Sequence, residues 1–299
     1  MVRAYYRFGN CTIAVERPEE MKQPSNLKKF QVMDVSEEEK KSTVWYHLSF
    51  RDGLDEIREA YTAEKKNENK VMMREDLQIV QKTDGESRFL NFKGSEECYA
   101  ASIQTGEREY EIFFSPWVAE NLNIDTIFYA PFALERQVIR DGSLILHSAF
   151  IEYQGQAILF SAPSGVGKST QANLWGKYRN AETINGDRSL LMREKDGWYA
   201  AGWPVCGSSE ICKNEKWPIR AIVMLDRLDG NRIEPLRGLQ AFREVMPQIT
   251  INRWDKTMQN QAMDGLELLL QEVPICKLFC NISEEAVRCL EEYLIEMHP

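Results

Sequence analysis

An apolar strand that runs into a small-residue loop and then a helix constrains this chain more than any other feature. Residues Gly155-Gln156-Ala157-Ile158-Leu159-Phe160-Ser161 read as the strand. Ala162-Pro163-Ser164-Gly165-Val166-Gly167-Lys168-Ser169-Thr170 read as the loop and the start of the helix. This is the strand–loop–helix context that a Walker A motif requires. Gly165 and Gly167 open backbone conformations closed to residues with a Cβ, so successive N–H groups can converge on a phosphate. A helix starting near Lys168 points its positive end at the same anion. Lys168 adds a mobile positive charge, and Ser169 supplies a hydroxyl for Mg²⁺. Position 162 carries Ala where the pattern usually has Gly.

The remaining composition narrows the class. The chain has 299 residues, room for one large domain or two ordinary ones. No apolar run approaches the ~20 residues needed to span a bilayer. The first residues, Met1-Val2-Arg3-Ala4-Tyr5-Tyr6-Arg7, lack the apolar core of a signal peptide, so a cytoplasmic location is the expectation. A net charge of −9 disfavours a nucleic-acid partner. The seven cysteines (Cys11, Cys98, Cys206, Cys212, Cys276, Cys280, Cys289) form no C-x-x-C pair and read as reduced thiols. With only His47, His147 and His298, a multi-histidine metal centre is not expected.

Two regions follow from the pattern. Residues 1–140 hold short strand-like runs at 12–15, 43–48, 89–92 and 110–114, whose alternation predicts half-buried antiparallel strands. The polar stretch 52–76, with Glu64-Lys65-Lys66, reads as a solvated helix face followed by a loop. From 141 to 299 strands and helices mix. Strands are expected at 144–153, 157–160, 189–192, 198–201, 219–225 and 275–280, and helices at 168–178, 239–248, 254–272 and 284–297. Ser283 is a fitting N-cap for the last helix, and Val287, Leu290 and Leu294 give it an apolar stripe. The fold class expected is α/β: a central sheet bearing the phosphate loop, flanked by helices, with a β-rich N-terminal region.

Binding a nucleotide with Mg²⁺ needs an acid as well. Two are placed for it: Asp187 in Ile184-Asn185-Gly186-Asp187-Arg188, and Asp226 at the end of Ala221-Ile222-Val223-Met224-Leu225. Pattern alone does not choose between them, and a strand-terminal Asp is also ordinary turn chemistry. His147 lies in the strand before the loop, in an apolar setting that equally fits a core histidine.

The order of His147, an apolar strand, Ser164-Gly165-Val166-Gly167-Lys168-Ser169, a short helix and then Asp187 resembles HPr kinase/phosphorylase. The catalytic domain of that enzyme is related in fold to phosphoenolpyruvate carboxykinase. The resemblance spans residues 141–296 and is sharp at 147–188; residues 1–140 do not resemble that enzyme's N-terminal domain. It implies Asp187 over Asp226 as the acid, a place for His147 near the phosphates, and an active-site loop at Gly202-Trp203-Pro204-Val205-Cys206-Gly207-Ser208-Ser209-Glu210. In that family the acid is one of an adjacent Asp pair, serving Mg²⁺ and the substrate hydroxyl. Here the pair reads Gly186-Asp187, so one role is vacant or filled elsewhere, with Glu210 a candidate. Arg227, Arg232 and Arg237 are candidates for stabilising transferred charge, and no spacing singles one out.

The expected activity is transfer of a phosphoryl group from ATP or GTP with Mg²⁺ to a hydroxyl, the resemblance implying a Ser on a protein or peptide. Lys168, Asp187 and His147 are then the catalytic candidates, residues 162–170 the nucleotide loop, and Ser169 and Asp187 the metal ligands. No membrane partner is expected, and a homo-oligomer fits the family. Two alternatives stay open: a nucleotide-binding regulatory or assembly protein with little hydrolysis, and a carboxykinase-like enzyme acting on a small acid.

Overall fold

The computed structural model describes residues 1–63, 70–82 and 85–297. Glu64-Lys65-Lys66 and His298 lie outside the described residues. The fold is mixed α/β with two sheets, and the chain divides into two compact units, residues 1–7 with 11–137 and residues 8–10 with 138–299.

The N-terminal unit is β-rich. Its elements are β1 (Val2–Phe8), β2 (Cys11–Arg17), β3 (Gln31–Val32), α1 (Glu37–Ser42), β4 (Val44–Phe50), α2 (Leu54–Ala63), β5 (Lys70–Arg74), β6 (Leu77–Lys82), β7 (Gly85–Asn91), β8 (Cys98–Gly106), β9 (Glu109–Phe114), α3 (Asp125–Tyr129) and α4 (Leu134–Arg140). They make a nine-stranded sheet in the order β3-β1-β2-β4-β9-β8-β7-β6-β5. The expected antiparallel pairing does not hold at its centre, where β2 pairs with β4 and β4 with β9 in parallel. Both connections are long crossovers carrying helices, which parallel neighbours require. Nor is the polar stretch 52–76 a helix and loop only: α2 occupies its first half, and the strand β5 ends it. Leu54, Ile57 and Tyr61 of α2 pack on Val80, Phe89 and Ala101 of the sheet.

The second unit holds β10 (Leu144–Tyr153), β11 (Gln156–Ser161), α5 (Lys168–Arg179), β12 (Glu182–Asn185), β13 (Arg188–Glu194), β14 (Gly197–Ala201), β15 (Lys216–Arg227), β16 (Arg232–Leu236), α6 (Gly238–Val245), α7 (Lys256–Glu272), β17 (Ile275–Cys280) and α8 (Glu284–Glu296). Strands β11, β15 and β17 run parallel at its centre. Two long strands each serve three neighbours. Residues 144–147 of β10 pair with β13, while 148–153 pair with β11 and β12. The start of β15 pairs with β14 and its later residues with β11 and β17.

The central strands are apolar on both faces, as strands covered by helices on each side must be. Leu159, Ile222 and Met224 face Ala262, Leu266 and Leu269 of α7 and Val245 of α6. The alternate residues Ile158, Phe160 and Val223 face Trp175 of α5 and Val287, Leu290 and Leu294 of α8. Ser283 caps α8 by accepting from the Ala286 amide at 3.4 Å, and Asp255 caps α7 by accepting from Met258 at 3.0 Å. Among the described residues no helix is long and apolar enough to cross a membrane.

Trp175 anchors the loop-bearing helix: it is fully buried, with Tyr153 and Phe160 at ring-centroid distances of 5.1 and 6.3 Å. Trp175→Ala leaves a cavity under α5 and is expected to cost about 3–5 kcal/mol of unfolding free energy. Chemical denaturation measures this, and a loss below about 1 kcal/mol would show that the helix is held by other contacts.

Candidate functional site

The phosphate-loop sequence folds as its glycines require. Gly165 has φ 80° and Gly167 φ 137°, both closed to ordinary side chains. Gly167 is the residue before α5, and no side chain caps the first turn of that helix. Its leading amides and positive dipole end therefore stand open to an anion. Lys168 folds back across the loop, its Nζ donating to the Ala162 carbonyl at 3.1 Å, and the side chain is buried. Burial lowers the Lys168 pKa; the charge of Asp187 opposes this and that of Arg188 adds to it. The methyl of Ala162 is buried in the core beside α5, which accounts for an apolar residue at that place.

Strand register brings His147 and Asp187 to the loop. Ser148 pairs with Ser161, the last residue before the loop, and the Ser161 hydroxyl donates to the His147 carbonyl at 2.8 Å. On the other edge of β10, β12 ends with Asn185 opposite Phe150 and β13 begins with Arg188 opposite His147. Gly186 and Asp187 fill the gap, and the Asp187 carbonyl accepts from the Ser148 amide at 3.0 Å. Asn185 shapes this turn. Its side-chain oxygen accepts from the amides of Asp187 and Arg188, each at 2.9 Å, and its amide donates to the Trp203 carbonyl at 2.7 Å. Asn185 was not among the residues sequence reasoning singled out. An Asn followed by Gly and Asp is a recognisable side-chain-stabilised turn, and that was the available signal.

The Asp187 carboxylate lies 3.5 Å from His147 Nε2 and 3.4 Å from Arg188 Nε. The His147 contact first, then the charges of Arg188 and Lys168, hold its carboxyl below the ordinary range, against the opposite effect of burial. Its folded pKa is depressed, so its contribution to stability is present above the unfolded value near 4 and is lost as pH falls through the lower folded value. His147 Nδ1 faces Gln248 Oε1 at 3.3 Å, and Arg188 Nη1 donates to Thr250 at 2.7 Å.

These groups share a cavity of about 270 Å³ lined by His147, Gly165, Lys168, Ser169, Asp187 and Ser209, among others. Asp226 lines a second, larger cleft of about 790 Å³ on the other side of the loop, with Leu225, Leu228, Asp229, Asn281 and Ile282. The Asp226 carboxylate pairs with Lys277 at 3.3 Å. Gly165, Gly167 and Thr170 line both spaces. Of the three arginines, Arg227 touches the loop, donating to the carbonyls of Gly165 and Val166. Arg232 stacks on Phe279, with its carbon Cζ 3.9 Å from the ring centroid, and Arg237 is exposed at the start of α6. Glu210 is exposed and left-handed, with φ 55°, and is not part of the cavity wall. No three His, Cys, Asp or Glu side chains converge among the described residues.

Position 186 has no room for a side chain. A Cβ built there would stand 2.0 Å from Ser209 Oγ and 2.3 Å from Ser209 Cβ. The loop bearing Ser209 is fastened to the turn by Gly186 N to Ile211 O at 3.3 Å and Lys213 N to Ile184 O at 2.9 Å. Gly207 abuts the acid itself: a Cβ there would lie 3.1 Å from Asp187 Cγ, and its φ is 56°. A paired acid at 186 is thus excluded by the packing of the 203–212 loop.

A protein-family model described as SynChlorMet cassette protein ScmC matches residues 115–283. The chain belongs to the ScmC family. All the residues that line the two spaces, from His147 to Ile282, fall inside the segment that matches ScmC. A solved structure of the HPr(Ser) kinase/phosphatase from Coxiella burnetii is similar over 52% of this chain and 99% of that chain, at 10% identity and a TM-score of 0.31. A TM-score that low carries no argument about the site. None of the curated proteins matches the chain.

The packing at position 186 predicts a specific coupling. Gly186→Ala alone is expected to destabilise by about 1–3 kcal/mol through the clash with Ser209. In a Ser209→Gly background the same change should cost a few tenths of a kcal/mol at most. A double-mutant cycle by denaturation reads the difference as a favourable coupling, and additive costs would show that the clash is relieved elsewhere.

Proposed function

We propose that this chain is a Mg²⁺- and nucleoside-triphosphate-dependent phosphotransferase. The observation that carries the reading is one cavity holding the glycine loop, the open first turn of α5, Lys168 and Ser169 together with Asp187 and His147. The donor set fits a triphosphate. Uncapped amides and a buried ammonium whose one hydrogen-bond partner shown is a carbonyl are groups that an anion would satisfy. Ser169 and Asp187 would hold Mg²⁺, with the remaining ligands from phosphate and water, as this ion prefers. Bound there, Mg²⁺ neutralises charge on the transferring group.

The two spaces divide the substrate between them. The cleft of about 790 Å³ has apolar and hydrogen-bonding walls and a size suited to a nucleoside. The cavity of about 270 Å³ is polar and fits the terminal phosphates and the acceptor atom. Lys168 neutralises the leaving charge. His147 and Arg188 keep Asp187 ionised and oriented. Arg227 ties the rim of the nucleoside cleft to the loop through two carbonyls. The acceptor is a hydroxyl, with a Ser of a protein or peptide the class the sequence resemblance implies. The segment 141–299 carries this activity, and residues 1–140 serve to recognise the acceptor. ATP and GTP both fit this reading.

One observation favours a second reading, a nucleotide-binding regulatory protein with little turnover. The place of a second acid is filled by Ser209, so no carboxylate pair is available to take the acceptor's proton. Phosphoryl transfer depends mainly on positioning and electrostatics, so a missing base slows it without abolishing it.

Calorimetry with ATP tests the proposal. The wild type is expected to bind in a Mg²⁺-dependent way. Lys168→Ala should weaken binding roughly 10- to 100-fold, the equivalent of one charge-assisted interaction. Asp187→Asn should remove the Mg²⁺ dependence, whereas Asp226→Asn should retain it. Absence of binding by the wild type, to ATP and GTP alike, overturns the reading.

A further inference from the structure

Ser209 lines the same cavity as Lys168, Ser169 and Asp187, on a turn outside the glycine loop. Its hydroxyl fills the space over Gly186, close enough that a Cβ at 186 would touch it at 2.0 Å. The hydroxyl is positioned by two hydrogen bonds, donating to Cys206 O at 2.7 Å and accepting from Ile211 N at 3.3 Å. It sits on a short turn bounded by two left-handed residues, Gly207 at φ 56° and Glu210 at φ 55°. The residues that follow the turn, Ile211 and Lys213, are latched to Gly186 and Ile184 by backbone hydrogen bonds.

The other nucleophiles of the cavity are placed less well. Ser164, Ser169 and Thr170 belong to the phosphate loop and helix start, on the side that would hold the triphosphate rather than attack it. Both ring nitrogens of His147 are engaged, by Gln248 and Asp187. Cys206 is buried to 2% exposure. Ser209 is partly exposed, lines the cavity and lies outside the segment that would hold the triphosphate.

We propose that Ser209 is a phosphorylation site served by the chain's own nucleotide cavity. The inference rests on the nucleotide-binding reading above. Ser209 Oγ attacks the terminal phosphorus of a bound nucleoside triphosphate. The bond from that phosphorus to the bridging oxygen breaks, and the nucleoside diphosphate leaves with the electron pair. The hydroxyl proton passes to solvent at the cavity mouth. A loose transition state makes little demand on a base, which suits a wall without a second carboxylate. The product is a phosphoserine whose charge lies in the cavity of Lys168, within a space of about 270 Å³. It occupies the place of the next terminal phosphate, so the modification limits its own site.

The test is incubation of the full chain with Mg²⁺-ATP, followed by intact-mass and peptide mass spectrometry, beside calorimetry of the same preparation. The expected result is one phosphoryl group per chain on Ser209, formed at a rate independent of protein concentration and lost in Ser209→Ala and in Lys168→Ala. Nucleotide binding without phosphate on Ser209, or with phosphate only on Ser208, His147 or another residue, overturns this inference and leaves the nucleotide reading standing. No nucleotide binding overturns both.

Discussion

The pairing of Ser148 with Ser161 in the β10–β11 hairpin sets where the rest of the site can be. It ends β11 beside His147, so the glycine loop begins there. The other edge of β10 changes partner at the same point, from β12 to β13. The two residues spanning that change, Gly186 and Asp187, are thereby delivered to the mouth of the loop. A one-residue slip in either pairing would turn the set of side chains to the opposite face and remove both His147 and Asp187 from the cavity.

His147 and Arg188 contact the Asp187 carboxylate at 3.5 and 3.4 Å, and burial disfavours the ammonium of Lys168 in the same cavity. No side chain caps the first turn of α5, so its leading amides remain available to an anion. The cavity is lined by one acid, where a paired-carboxylate site has two. The 203–212 loop is the reason: with Ser209 over Gly186 and Gly207 against Asp187, it leaves room for one acid side chain.

Local pattern made much of the second unit legible. The apolar runs of β11 and β15, the capped start of α8 and the run from β11 through 162–170 into α5 all depend on neighbours in sequence. The glycine loop was readable because two glycines, Lys168 and Ser169 stand close together in the sequence. Strand direction in the N-terminal unit was not readable. Whether β4 runs parallel to β2 and β9 is decided by crossovers of many residues, and the alternation of a strand is the same in either direction. That Asp187 rather than Asp226 lies beside His147 and in the cavity of Lys168 follows from the register of β10 against β12 and β13, to which pattern alone is blind. The exclusion of a side chain at 186 required the contact with Ser209, which lies 23 residues further along the chain.

In the proposed function, residues 162–170 grip a nucleotide's phosphates while the cleft at the ends of β15 and β17 takes its nucleoside. The decisive measurement is amide hydrogen exchange of the full chain, with and without a non-hydrolysable ATP analogue and Mg²⁺. Slowed exchange is expected at residues 164–170 and at residues 225–229 and 280–282, with the N-terminal sheet unchanged. Exchange at 164–170 that is unaffected by saturating nucleotide would overturn that function.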